Sequence, residues 1–146
     1  MLRRSCPSRA GVSDMTESRF ITVAPDSARS VLASDVVVAG ELAFISGVRG
    51  VDLTNDRMPL AEKVEAQTQK IFANLDVVLQ AAGLTRQHVV SVKVYLIDFE
   101  RLFERMNKAY LGCMGTAPLP ARTCVGVTQL TRGAQVEMDF VVRTTA

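Results

Sequence analysis

The chain has 146 residues, 48% of them hydrophobic, and 17 basic against 15 acidic residues leave a net charge of +2. That length suits one domain able to bury roughly 70% of its unfolded surface, and no apolar run approaches the roughly 18 residues a membrane span needs. Beyond Asp14, fourteen basic residues face fourteen acidic ones, a balance without the basic footprint of a nucleic-acid binder.

Cys6, Cys113 and Cys124 are three in number, and no signal peptide with a continuous apolar centre precedes them. An odd set without a secretory leader predicts free thiols in a reducing compartment, the cytoplasm. The leading MLRRSCPSRAGVS is rich in Arg and Ser with no acid before Asp14, the composition of an organellar transit peptide. That makes mitochondria the alternative location. The same residues also suit a disordered tail, or an extension upstream of a start at Met15. Residues 1–19 are therefore set apart from a single domain over 20–146.

Phe20 to Val23, ahead of Pro25, reads as a first strand at a sheet edge. From Asp35, VVVAGELAFISGVRG holds two apolar runs broken by Gly40 and Glu41, a hairpin signal with the second run ending at Ser46 and Gly47. Val48 to Pro59 is a loop. From Ala61 to Ala82, Val64, Ile71, Leu75, Val78, Leu79 and Ala82 form a helical stripe, and Gly83 supplies the stop. Val89 to Ile97 alternates Val90, Val92, Val94 and Leu96 against Ser91, Lys93 and Tyr95, which predicts a strand joined to the preceding one by a parallel crossover. Asp98 then caps a second helix carrying Phe99, Leu102 or Phe103, Met106 and Tyr110 on one side, with Gly112 as its stop.

Pro118 to Arg143 reads as two strands and a short turn at Gly133. Arg122, Cys124, Gly126 and Thr128 share one face of the first strand. On the second, Val136, Met138, Phe140 and Val142 share an apolar face, and Gln135, Glu137 and Asp139 the other. A hairpin register that keeps the apolar face intact sets Glu137 beside Arg122 and Cys124. The order of six strands and two helices predicts an α+β fold, with both helices on one face of a mixed sheet. The other face, with Ile97, Val125 and Val127, is too apolar to stay bare, which predicts a homo-oligomer.

Two readings of Arg122 follow from its type. It forms an ion pair with Glu137 or Asp139 across the strands, or its planar fork grips a ligand carboxylate. Cys124 is a small buried hydrophobe or a nucleophile, and no histidine near it in sequence supports the second. The only histidine, His88, sits between a helix exit and a strand, and with scattered cysteines it assembles no ordinary zinc site. Gly47 to Gly50, GVRG, is too short for a phosphate loop and reads as turn chemistry, exposing the Ser46 hydroxyl and the turn amides. Glu137 is a candidate base for water, and Asn107 on the second helix a candidate pocket amide. The residues alone lead to a small pocket for an anionic ligand, with no cofactor and no metal.

The segments PARTCVGV and GAQVEMDFVV, FISG at 44–47, Gln67 and Thr68 followed by NLDVVLQAAG, VVSVKVYLID and MNKAYLG together resemble the RidA family, the imine deaminases also called the YjgF or endoribonuclease L-PSP family. The resemblance spans about Phe20 to Arg143. It implies a chorismate-mutase-like fold, a homotrimer with pockets between subunits, and cofactor-free hydrolysis of 2-imino acids, such as 2-iminopropanoate and 2-iminobutanoate, to 2-oxo acids and ammonia. By that resemblance Arg122 binds the substrate carboxylate, Glu137 places or activates water, Cys124 lines the pocket, Ser46 and Gly47 form the pocket turn, and Asn107 is a polar residue near the interface.

The chain departs from the family pattern in three places. Ala33 stands thirteen positions before Ser46, where an aromatic residue is usual. Gly112 to Ala121 is short, and Thr131 replaces a usual proline. These leave the carboxylate clamp intact and bear on side-chain preference and efficiency. A binding trimer for 2-oxo acids without turnover, favoured by Ala33, and a ribonuclease or translation inhibitor are the alternative readings.

Overall fold

The computed structural model describes residues 17–25 and 32–145; residues 1–16, with the proposed transit segment and Cys6, lie outside them. Eight regular elements follow one another: β1 (Arg19–Ile21), β2 (Val36–Ala39), β3 (Leu42–Arg49), α1 (Val64–Ala81), β4 (Val89–Leu96), α2 (Phe99–Met114), β5 (Ala121–Gly126) and β6 (Val136–Arg143). Six strands form one mixed sheet in the order β1-β2-β3-β6-β4-β5, with β4 and β5 parallel and every other pair antiparallel. The α+β reading holds.

Local pattern decides the first half. β2 and β3 close through Gly40 and Glu41, with Ala39 opposite Leu42 and Gly40 at φ +60°, a conformation that costs glycine little. Alternation then buries Val36, Val38, Ala43 and Ile45 on one face. At Ser46 and Gly47 the β3–β6 register slips, so that Ile45 faces Phe140 and Val48 faces Met138. That β-bulge puts one extra residue in β3 and carries the strand on to Arg49, past the predicted end at Gly47.

α1 buries Val64, Ile71, Phe72, Leu75, Val78 and Leu79, and α2 buries Leu102, Met106, Tyr110 and Met114, all against one face of the sheet. Gly83, at φ +75°, ends α1 as its composition implies. α2 runs past Gly112 and stops at Gly115, φ +56°, so one further turn brings Met114 into the core. Asp98 occupies the N-cap position at φ +43°, yet its carboxylate pairs with Arg101 and caps no backbone amide. In β4 the register slips between Val89 and Ser91, and Val90 turns outward, away from the face of Val92. Ile97 packs against the core, contrary to its expected exposure.

The predicted hairpin of the last two strands does not form. β4 lies between β5 and β6, and β6 pairs with β3 and β4. The β3–α1–β4 crossover is parallel in direction, but its two strands are neighbours of β6 and not of each other. Thr131–Gly133, in a 3-10 turn, carries the chain across, with Arg132 at φ +59° and Gly133 at φ +69°.

Candidate functional site

Pairing decides which face each candidate occupies. β5 sets Arg122 beside Val92 and Cys124 beside Val94, and Val92 and Val94 point toward the helices. Glu137 lies opposite Tyr95, and Asp139 opposite Lys93, on the face the helices leave bare. Arg122 and Cys124 therefore share one side, as alternation implied, but Glu137 stands on the other. The convergence expected from a hairpin register is absent within one chain, because the intervening β4 places β5 and β6 in a different relation.

Two partial sites result. On the bare face, Asp139 accepts hydrogen bonds from the Ser46 hydroxyl (3.0 Å), the Gly47 amide (2.8 Å) and the Tyr95 hydroxyl (3.0 Å). The groups expected to be offered outward from this turn instead hold the bulge to β6. Gly47 sits at φ +69°, and a Cβ there would come 3.3 Å from Glu137 Oε1, so this close approach suits glycine alone. Glu137 lies 3.9 Å from Arg49 Nε. Burial pushes the Glu137 carboxyl up from its ordinary value, Arg49 draws it down, and Asp139 adds to the rise. A cavity of about 240 Å³ beside it is lined by Ala33, Ser46, Gly47, Arg49, Thr131 and Glu137, among others. Ala33 and Thr131, two of the departures from the family pattern, thus border the same space.

The second partial site lies at the β5 edge. Asn107, Tyr110, Leu119, Pro120 and Arg122 line a cleft of about 430 Å³. The Arg122 guanidinium rests 4.7 Å from the centroid of the Tyr110 ring and pairs with no carboxylate among the described residues. The cross-strand ion pair with Glu137 or Asp139 is therefore not the arrangement adopted, and Arg49 takes that place beside Glu137. Asn107 Oδ1 and the Tyr110 hydroxyl are buried without a hydrogen-bond partner among the described residues, polar atoms suited to a ligand. Burial raises the Cys124 thiol, against the pull of Arg122, which keeps it a neutral wall group.

His88 is engaged elsewhere, since its Nδ1 accepts the Thr85 amide at 3.1 Å in the turn before β4. Sequence reading missed Arg49, Tyr95 and Asp139 in the first partial site and the role of Tyr110 in the second. Tyr110 carried a signal, lying three residues after Asn107 on one side of α2, but its place in the apolar stripe concealed it.

Residues 23–144 match the family model described as Endoribonuclease L-PSP. The chain belongs to that family. Among relatives of this L-PSP chain, a 2-iminobutanoate/2-iminopropanoate deaminase of Dermatophagoides farinae is 28% identical over 112 residues, 75% of this chain and 83% of the relative. Protein MMF1, mitochondrial, of Saccharomyces cerevisiae is 27% identical over 141 residues, 97% of this chain and 92% of the relative. The structure of RidA from the Antarctic bacterium Psychrobacter sp. PAMC 21119 is similar at a TM-score of 0.75 and 30% identity, over 86% of this L-PSP chain and 98% of that one. The RidA/YjgF resemblance is thereby met. Among the described residues no helix is long and apolar enough to cross a membrane.

Proposed function

We propose that this chain is a cofactor-independent hydrolase of small 2-imino acids, working in a homotrimer whose sites are shared between subunits. The observation that carries this reading is the Arg122 guanidinium, set on an aromatic face at an open cleft, with its donors directed to no carboxylate of its own chain among the described residues. Such a group takes a ligand carboxylate bidentately. The other partial site, with Glu137, lies on the opposite face of the sheet, so the two meet only when one subunit's edge docks on another's bare face. The name of the mite relative supports the substrate class.

In this scheme Arg122 holds the carboxylate and fixes the imine carbon in place. Glu137, a carboxylate with a raised affinity for protons, takes one from water as its oxygen bonds to that carbon, and the proton passes to the nitrogen. The new hydroxyl then gives its proton, through Glu137, to the amine as the C–N bond breaks and the carbonyl forms, giving a 2-oxo acid and ammonia from the imine and one water. Ser46 and Gly47 shape the floor beside Glu137, Asn107 offers a polar contact, and Cys124 packs without covalent chemistry.

In an assay where threonine dehydratase generates 2-iminobutanoate, the protein should accelerate release of 2-oxobutanoate. Arg122→Ala should remove about 2–4 kcal/mol of transition-state stabilisation, roughly a 30- to 900-fold loss in rate. Unchanged release with the parent protein rejects the hydrolase. Ala33, exposed at the wall of the Glu137 cavity, favours a second reading in which 2-oxo acids bind without turnover; they would then raise the melting temperature while imine decay stayed unaltered. Ribonuclease action follows from the family description, but the balanced charge of the domain supplies little for a phosphate backbone. Salt-dependent RNA binding in parallel would reopen it. The location is proposed as the cytoplasm, with the mitochondrion as the alternative that MMF1's name supports.

A further inference from the structure

Arg122 lies on an edge strand with its residue exposed, a setting in which a long side chain ordinarily samples many rotamers. Its guanidinium nevertheless has a platform. Tyr110 is 3% exposed, and its ring meets Phe72 edge-on at 5.6 Å, while Phe72 meets Phe140 edge-on at 6.0 Å. A line of rings thus runs from central β6 through α1 to α2 and ends beneath Arg122. Edge-to-face contacts fix the tilt of each ring relative to the next, so the last ring face is set by the core.

We propose that Tyr110 is the positioning residue for Arg122, its ring face holding the guanidinium at the height and tilt required for a carboxylate. A carboxylate partner in the same place would occupy the N–H groups of the fork. A ring beneath the plane leaves them at the rim, open to a ligand, and the attraction between cation and ring limits the rotamers lost on binding. The functional consequence rests on the reading of Arg122 as an anion clamp, whereas the placement stands on geometry alone.

The test uses the full chain and two readouts. In the parent protein, ring current from Tyr110 should shift the Arg122 δ-methylene protons upfield in the NMR spectrum. Tyr110→Phe removes the hydroxyl but keeps the ring, and should preserve that shift. Tyr110→Leu should lose the shift and bind 2-oxobutanoate about 2- to 30-fold more weakly than Tyr110→Phe does, the range expected for a cation–π contact, with the fold checked by circular dichroism. Random-coil Arg122 shifts in the parent overturn the proposal whatever the variants do, and so does a folded Tyr110→Leu protein that binds like Tyr110→Phe. If the shift is present but the parent binds no 2-oxo acid, the placement stands and the functional reading falls.

Discussion

Glu137 carries a carboxyl that two neighbours pull in opposite directions. Burial and Asp139 favour its protonated form, and Arg49 favours the charged one, with burial the largest influence. Tyr95, its cross-strand partner, stays a neutral donor because its bond to Asp139 lifts its pKa above the ordinary tyrosine value. A carboxyl raised in the folded state stabilises that state most when protonated. The contribution is complete below the unfolded value and fades as pH rises through the folded one. Urea unfolding of Glu137→Gln beside the parent, from about pH 4 to about pH 8, should therefore show the balance moving toward the glutamine variant as pH rises. A difference constant with pH would contradict a raised carboxyl. The acid limb of imine hydrolysis should likewise lie above the range of an ordinary glutamate, and should vanish in the variant. At this scale alternation correctly turned Glu137 and Asp139 away from the core. It set Arg122 on the face of Glu137, which the structure does not, because most residues of β5 are exposed and no apolar face marks which side is inward.

Elements were legible wherever their signal is local. The β2–β3 turn announces itself at Gly40, α1 by its stripe and Gly83, and β4 by alternation. The bulges at Ser46–Gly47 and Val90 each add one residue to a strand, which leaves the apolar composition intact and shifts only the count. Strand pairing is harder still: β5 and β6 are close in sequence, but each finds a partner in β4, and no local pattern distinguishes that from a hairpin. The loop after β3 also depends on a distant residue. Asn74 Nδ2, on α1, donates to the Arg49 carbonyl at 2.9 Å and the Val51 carbonyl at 2.8 Å. Asn74→Ala strips both acceptors at once, and should cost about 2–4 kcal/mol in chemical denaturation. A loss under about 0.5 kcal/mol would mean water replaces the amide without penalty.

For the whole molecule the uncovered sheet face is decisive. Phe44 is 45% exposed and Val125 42%, with Val141 and Tyr95 half-buried on the strands between them and Val37 half-buried beside Phe44 on β2. Apolar surface of this kind is characteristic of an interface. Phe44→Asp should convert the proposed trimer to monomers in analytical ultracentrifugation and abolish imine hydrolysis with it, although Phe44 belongs to neither partial site. A monomeric parent, or a trimeric variant, would sink that expectation.

The place of β6 bears on the order in which the fold is gained. It is the eighth element in the chain and a central one in the sheet, bound on one side to β3 and on the other to β4. A nascent chain emerging from the ribosome can form the β1-β2-β3 meander and the β4-α2-β5 unit early, each from near neighbours. These halves have no strand to join them until residues 136–143 arrive. Glu137 lies on that last strand. The joining of the sheet and the arrival of the proposed base are consequently a single late event, and a partly synthesised chain has neither.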